Sequence, residues 1–349
     1  MEDTVIDSMR RRPAMWIGDP HSRQGTHHLI WEVLANSVDE FLAGRASKID
    51  VILHADSSVS VHDDGAGISL KQGKDGLSWL EEVLTTFHST ATADGHAPHV
   101  HLRRHQVGLV AVSALSSALR VDVHSAGAHF AIELARGVVV KPLHELGPSS
   151  QTGTVLRFTP DPSIFAYPRP DAERVAQRVR ELSMLLPGLQ TTISVEAYEY
   201  PASYSIAEFL RPQFSKDELI VGEYSEGSTV GRVAFAWSQG YDAKPAVRGY
   251  CNLDEVPSGS HLEGFRRGLA AGLDRRDGDK VYNALAVDLN AVVSALVIDP
   301  AFYGPTHERL ISSEAEHVVH VATADALRRA REEQPGLAAF LEGRLRGCS

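Results

Sequence analysis

The stretch from Thr26 to Leu42, read with the strands that follow it, constrains this chain more than any other feature. Leu29, Ile30, Val33, Leu34, Val38 and Phe41 recur at helical spacing and make an apolar stripe, and Gly44 follows as a stop. On the same helix His28, Glu32, Asn36 and Glu40 stand four residues apart. Each step of four drifts only about 40° around a helix, so these residues form one slanted polar stripe, with the apolar residues covering the other side. Ile49, Val51 and Leu53 then alternate, Asp56-Ser57-Ser58 turns, and Val59 and Val61 resume the alternation. The result is a helix that feeds a strand, turn, strand unit.

A helix with an apolar face and a polar stripe is ordinarily a surface helix. Here the identity of the polar residues adds chemistry. An amide at Asn36 can offer oxygen to Mg²⁺, a hard ion that keeps several of its waters. A carboxylate at Glu32 can draw a proton from an attacking water. His28, one turn earlier, can orient that carboxylate. The second strand runs into Val61-His62-Asp63-Asp64-Gly65-Ala66-Gly67-Ile68. Two glycines two apart let the backbone turn sharply and approach a ligand. A carboxylate at the strand end can accept from an exocyclic amine such as that of adenine. Alone, an Asp-Gly pair is usually just a turn. Thr152-Gly153-Thr154, ahead of the strand Val155–Phe158, reads as a β-turn alone and as a hydroxyl near a bound base in this company.

In this order the pieces resemble the GHKL superfamily, and within it the B subunits of DNA gyrase and topoisomerase IV. Arg11-Arg12-Pro13-Ala14-Met15-Trp16-Ile17-Gly18-Asp19 is similar to that family's Arg-Pro-Gly-Met-Tyr-Ile-Gly stretch, and Glu32 to Glu40 is similar to its catalytic helix. Ser58 to Ile68 resembles its adenine turn, and Gly259-Ser260-His261-Leu262-Glu263-Gly264-Phe265 its second-domain motif. Asp299-Pro300 to Ser313 is similar to the loop that reaches back to the nucleotide. The likeness runs from about residue 9 to 330. It implies a GHKL (Bergerat) α/β sandwich over residues 1–205, then an α+β transducer domain over residues 206–349. It also implies ATP and Mg²⁺ as ligands, Glu32 as general base with His28 beside it, and Asn36 on the metal. Asp63 would take the adenine amine. Glu40, Gly65, Gly67, Ile68, Val83, Gly108, Thr154 and His307 would complete the ATP site. The implied activity is ATP hydrolysis coupled to closure of a homodimer, with a gyrase-A-like or DNA partner.

Three positions depart from the family pattern. The phosphate lid, Gly-x-x-Gly-x-Gly in the family, reads Arg103-Arg104-His105-Gln106-Val107-Gly108 here, so only Gly108 survives. The family's Gln-Thr-Lys becomes Pro305-Thr306-His307, and its arginine that pairs with the carboxylate matched by Glu40 becomes Ala66. Arg103, Arg104 and Arg309 are the side chains able to restore positive charge near phosphates. His96, His99, His101 and His105 fit no metal-ligand spacing and read as a solvated loop. These departures imply slow turnover. The alternative is a non-catalytic, nucleotide-gated module that regulates a gyrase-like partner. A mismatch-repair or kinase-type GHKL protein is disfavoured by the Gly259–Phe265 segment.

The remaining features set bounds. A net charge of −11 argues against strong general binding to DNA phosphates. Cys251 and Cys348 match no metal or redox spacing and suit a reducing cytosol. The acidic N-terminus lacks a leader's apolar run, and the most apolar stretch, Ala284 to Ile298, carries Asp288 and Asn290 and is too short to span a bilayer. A cytoplasmic protein without a cleavage domain, unable alone to pass DNA strands, is therefore expected. Further helices are expected at Leu77–Phe87, Gly108–Leu119, Asp171–Leu186, His261–Leu273 and from Ser312 onward, with a break at Pro335-Gly336. Strands are expected near Val121–Val123, Phe130–Leu134, Val138–Val140, Thr192–Val195, Val230–Trp237 and Ala291–Ile298, with a junction over Pro201–Lys216.

Overall fold

The computed structural model describes residues 4–73, 76–87, 107–196, 198–201, 205–210, 218–238, 246–304 and 307–346. The histidines and arginines expected in the lid, His96 to Gln106, lie outside them. The described residues group into two compact units that divide near residue 203.

The first unit opens with α1 (Val5–Arg11), α2 (Ala14–Ile17) and α3 (Gly25–Leu42). Strands β1 (Lys48–Leu53) and β2 (Val59–Asp63) follow, then α4 (Trp79–Thr85) and α5 (Leu109–Leu115). It closes with β3 (Ser116–Ser125), β4 (Ala128–Ala135), β5 (Val138–Pro148), β6 (Gly153–Pro160), α6 (Ala172–Leu185), β7 (Gln190–Val195) and β8 (Tyr198–Pro201). The strands form one mixed sheet in the order β5-β4-β3-β6-β2-β1-β7-β8, with β1 and β7 parallel and the other neighbours antiparallel. Alternation assigns its faces: Leu119, Val121 and Val123 are buried while Arg120, Asp122 and His124 are only half-buried. The buried stripe of α3 packs over β1, β2 and β6, and α6 packs on β7. Burying such a stripe stabilises by roughly 1.5–3 kcal/mol for each large side chain.

Local capping explains the short helices. Thr4 with Asp7 and Ser78 with Glu81 form capping boxes that start α1 and α4. Arg10 of α1 donates to the carbonyl of Ala114 at 2.7 Å and pairs at 2.8 Å with buried Asp161, which also takes Arg136 at 3.0 Å. Burial works against the Asp161 charge. The Ser163 N–H and the Arg10 guanidinium outweigh it and hold the carboxyl at about 2.

The second unit comprises α7 (Ile206–Leu210), β9 (Ile220–Glu226), β10 (Thr229–Trp237), β11 (Ala246–Cys251), β12 (Asp254–Glu255), β13 (Ser258–Gly259) and α8 (Ser260–Gly272). It continues with α9 (Gly278–Leu285), β14 (Leu289–Leu296), β15 (Arg309–Leu310), α10 (Ser313–Glu333) and α11 (Pro335–Arg346). Its five-stranded sheet runs β12-β11-β14-β10-β9. The core is formed by Val233, Phe235, Phe265, Leu269, Val293, Val318 and Leu327 among others. Backbone of α10 comes so near α8 that a methyl on Gly264 would lie 2.3 Å from the Glu316 carbonyl oxygen, which explains the glycine in the Gly259–Phe265 segment.

Three expectations change. The helix expected over Gly108–Leu119 ends at Leu115, and Ser116 already starts β3, because Leu119, Val121 and Val123 need the alternation of a strand to be buried together. The junction at Pro201–Lys216 contains α7, started by a Ser205–Glu208 capping box. Pro335 does more than interrupt: Gln334 caps α10 and Pro335 begins α11, where a missing N–H costs nothing.

Candidate nucleotide-binding site

The first unit holds a cleft of about 750 Å³ between the polar stripe of α3, the turn after β2, α4 and the start of α5. Glu32, Asn36, Glu40, Gly67, Ile68, Val83 and Gly108, all singled out in the sequence, line it together. So do Asp39, Arg45, Lys71, Trp79 and Phe130, which were not. His28 sits half-buried one turn before Glu32, with Nε2 3.8 Å from where a methyl on Gly18 would stand. His307 and Arg309 belong to the second unit, where the His307 ring stacks on Phe302 at 4.3 Å.

Asp63 is the buried centre of the turn, 1% exposed. Its Oδ2 accepts from the Ser37 hydroxyl at 2.8 Å, and its Oδ1 accepts from the N–H of Gly65 at 3.1 Å and of Thr154 at 3.3 Å. A carboxylate has about four lone-pair sites, so one on Oδ2 is left for a further donor. Burial pushes the Asp63 carboxyl up, and the Ser37 and Gly65 donors pull against it. Asp64 turns the other way and binds the N–H groups of Ser47 and Lys48, which pins the start of β1.

Glycine is required where the strands meet this turn. Gly153 has φ +122°, and a Cβ there would lie 1.9 Å from the Asp63 carbonyl oxygen. Gly67, at φ +81°, leaves no room against Val123. The N–H of Ile68 donates to Thr154 Oγ1 at 3.2 Å, which welds the turn to β6. The hydroxyl proton of Thr154 is then the group available to a ligand.

Glu32 is 9% exposed. Burial raises its carboxyl to about 7, against the pull of two N–H donors. These are Val107, 3.1 Å from Oε1, and Gly108, 2.9 Å from Oε2. Asp39 is likewise raised to about 7, first by burial and then by neighbouring Glu40. Two carboxyls with values near neutrality reduce the negative field that a phosphate chain would meet. Among the described residues no group of histidine, cysteine or carboxylate side chains is arranged as a metal site.

Ala66 does not leave Glu40 without an arginine. The helix ends on Gly44 at φ +71°, and the N–H groups of Arg45 and Ala46 both return to the Glu40 carbonyl. This reversal carries Arg45 back, so that its Nε donates to Oε2 at 3.0 Å and its NH2 to Oε1 at 2.7 Å. Oε2 also accepts from the N–H of Ala66 at 3.1 Å. The carboxylate pair expected with a side chain at 66 is thus made with backbone at 66 and a guanidinium from 45. Ser37 also escapes the sequence pattern, because its partner Asp63 comes alongside only when α3 crosses the sheet.

A family model described as DNA gyrase B matches residues 204–342. The chain is 32% identical to the DNA gyrase B subunit of Haloferax lucentense, over 95% of this chain and 56% of that protein. It is 33% identical to the corresponding gyrase protein of Streptococcus pyogenes, over 95% of this chain and 54% of that one. The type 2 topoisomerase B subunit of Aquifex aeolicus is 34% identical over 92% of this chain and 43% of its own length. The chain therefore spans about half the length of the curated relatives it matches. Among solved structures, the 43K ATPase domain of Thermus thermophilus gyrase B superposes with TM-score 0.81 at 29% identity, covering 99% of this chain and 95% of that one. The topoisomerase IV ATP-binding domain of Francisella tularensis gives TM-score 0.79 at 24% identity, over 98% of this chain and 96% of that one, a likeness of fold.

Proposed function

We propose that this chain, 32–34% identical to DNA gyrase and type 2 topoisomerase B subunits over about half of their length, binds ATP in the α3 cleft and hydrolyses it slowly. The observation that carries this reading is the cleft shared by Glu32, Asn36, Gly67 and Ile68, with the Asp63 carboxylate buried directly behind the turn. Asp63 accepts the exocyclic amine of adenine on its remaining lone pair, and Thr154 donates beside it. Val83 supplies apolar wall to the ring. Asn36 suits Mg²⁺ because the cleft offers that ion an amide oxygen and no preformed cage, and Mg²⁺ is usually shared between few protein ligands and phosphates. Bound there, the ion would neutralise phosphate charge.

Glu32 is the base that takes a proton from water, with His28 positioning it from the preceding turn. Its value of about 7 is well matched to proton transfer near neutrality. The N–H groups of Val107 and Gly108 that now bind Glu32 are the kind a phosphate oxygen also takes. An incoming phosphate competes for them, and their release frees the carboxylate. The same two hydrogen bonds favour a second reading, a nucleotide-gated module without turnover, in which the base stays engaged. His307 stands where the family's lysine is expected, and a histidine carries no permanent charge, which points the same way. Nucleotide-driven homodimer closure, a gyrase-A-like or DNA partner and a cytoplasmic location complete the proposal; no helix among the described residues is long and apolar enough to cross a membrane. Glu32→Gln decides between the readings. We expect ATP binding to persist while turnover falls about 10²–10⁴-fold. A wild type that binds ATP and never releases phosphate establishes the second reading.

A further inference from the structure

The second unit holds a cavity of its own, of about 430 Å³, between the loop that joins α8 to α9, the first turns of α9 and the last turn of α11. Arg275, Arg276 and Lys280 line it from the α8–α9 side and Arg346 from α11. Asp277 and Glu342 line it too, so four cations meet two carboxylates in a chain whose net charge is −11. Neither carboxylate balances the cluster closely. Asp277 is spent on capping α9, its Oδ1 accepting from the Lys280 N–H at 2.9 Å. Glu342 stands 3.9 Å from Arg275, beyond the roughly 2.7–2.9 Å of a tight charge-assisted contact. Among the described residues no ion pair or side-chain hydrogen bond engages the Arg276 guanidinium or the Lys280 ammonium, and both residues are exposed. The floor is apolar: Val281 is buried, and Leu345 packs on the core of the unit. Like charges gathered on facing elements repel, and an anion between them relieves that repulsion.

We propose that this cavity binds a phosphate monoester of small-molecule size, at a site separate from the α3 cleft. Such an ester carries about 1.5–2 negative charges near pH 7 and three acceptor oxygens, which matches the excess of two positive charges here. Arg276 meets the phosphate with its planar fork and Lys280 as a point charge, while the organic part covers Val281 and Leu345. A lone carboxylate supplies half the charge. The extended backbone of duplex DNA is disfavoured by the net charge of the chain and by a concave wall with an apolar floor.

The test is calorimetric titration of phenyl phosphate into wild type, into the double variant Arg276→Gln with Lys280→Gln, and into a control, Arg328→Gln with Arg329→Gln, that removes the same charge from α10. Ionic strength is held constant with chloride, and circular dichroism confirms that all three are folded. Wild type should bind saturably, and more tightly than it binds inorganic phosphate, which has no organic part to cover the floor. The Arg276 and Lys280 variant should bind about 10- to 100-fold more weakly, and the control as wild type does. No saturable binding by wild type overturns the proposal. So does an affinity kept when Arg276 and Lys280 are replaced, which would put the phosphate elsewhere, or an equal loss in the control, which would make it an effect of net charge. A short DNA duplex held more tightly than phenyl phosphate through the same two residues would make this face a nucleic-acid surface and overturn it as well. None of these outcomes bears on the ATP reading of the α3 cleft, which Asp63→Asn tests separately.

Discussion

Replacing Glu32 with Gln should make the stability difference from wild type swing with pH. Folding moves the Glu32 carboxyl from 4.5 to about 7. Because the folded value is raised, the native state favours the protonated form. The associated stability is fully present below about 4.5 and is lost as pH rises through about 7. At about 1.4 kcal/mol for each tenfold change, ionised Glu32 costs about 3 kcal/mol at pH 8 and under about 1 kcal/mol at pH 5. Glutamine removes this titration but has one acceptor oxygen where two N–H groups, from Val107 and Gly108, are waiting. One lost hydrogen bond costs about 1 kcal/mol at every pH. The variant should therefore match wild type near pH 5 and exceed it by about 2 kcal/mol at pH 8. Urea denaturation of both proteins at pH 5, 6.5 and 8, without nucleotide, measures the difference. A gap that stays constant across this range shows that Glu32 is not held near 7, and the case for a poised base goes with it.

Gly153→Ala should cost at least about 3 kcal/mol, since its Cβ would meet the Asp63 carbonyl oxygen at a backbone angle alanine rarely adopts; a thermal melt within a degree or two of wild type contradicts the turn as described. Asp161 is held at about 2 where 3.8 is ordinary, so its stabilisation is present above about pH 4 and disappears as pH falls through about 2. Asp161→Asn should therefore lose about 2 kcal/mol at pH 7 and much less at pH 2.5, as read from denaturation midpoints at the two pH values. An equal loss at both would mean that the carboxyl's shape, and not its charge to Arg10 and Arg136, is what matters.

What could be read in the sequence follows from how local each signal is. The helix α3 and the Asp63–Gly67 turn are short-range patterns, and Glu32, Asn36, Gly67 and Ile68 from them line one cleft. The run Ala284–Ile298 hides two elements, because a buried strand and the end of a buried helix are both continuous apolar runs; only the Asp288 turn separates α9 from β14. The boundary between α5 and β3 carries no glycine or proline, so apolar residues pass from helix to strand unmarked. The strand β11 escapes the pattern for another reason. Ala246–Cys251 goes from exposed to buried along its length, with no alternation to follow. The pairing of Arg45 with Glu40 is invisible in the sequence because it depends on the chain reversing at Gly44 and on Glu40 already being fixed by Ala66. The capping box at Ser205 is a readable signal, although it lies in a segment that otherwise reads as a linker.

The most direct test is the affinity of Mg-ATP for the wild-type chain and for Asp63→Asn, measured by titration calorimetry at one pH, with circular dichroism confirming that both are folded. Wild type should bind saturably. The variant, whose amide can place a donor against the adenine amine and against the Ser37 hydroxyl, should bind roughly 10- to 100-fold more weakly, the equivalent of about 1.5–3 kcal/mol. A wild type that binds no ATP, or a folded variant that binds it equally well, would show that the cleft is not the adenine site.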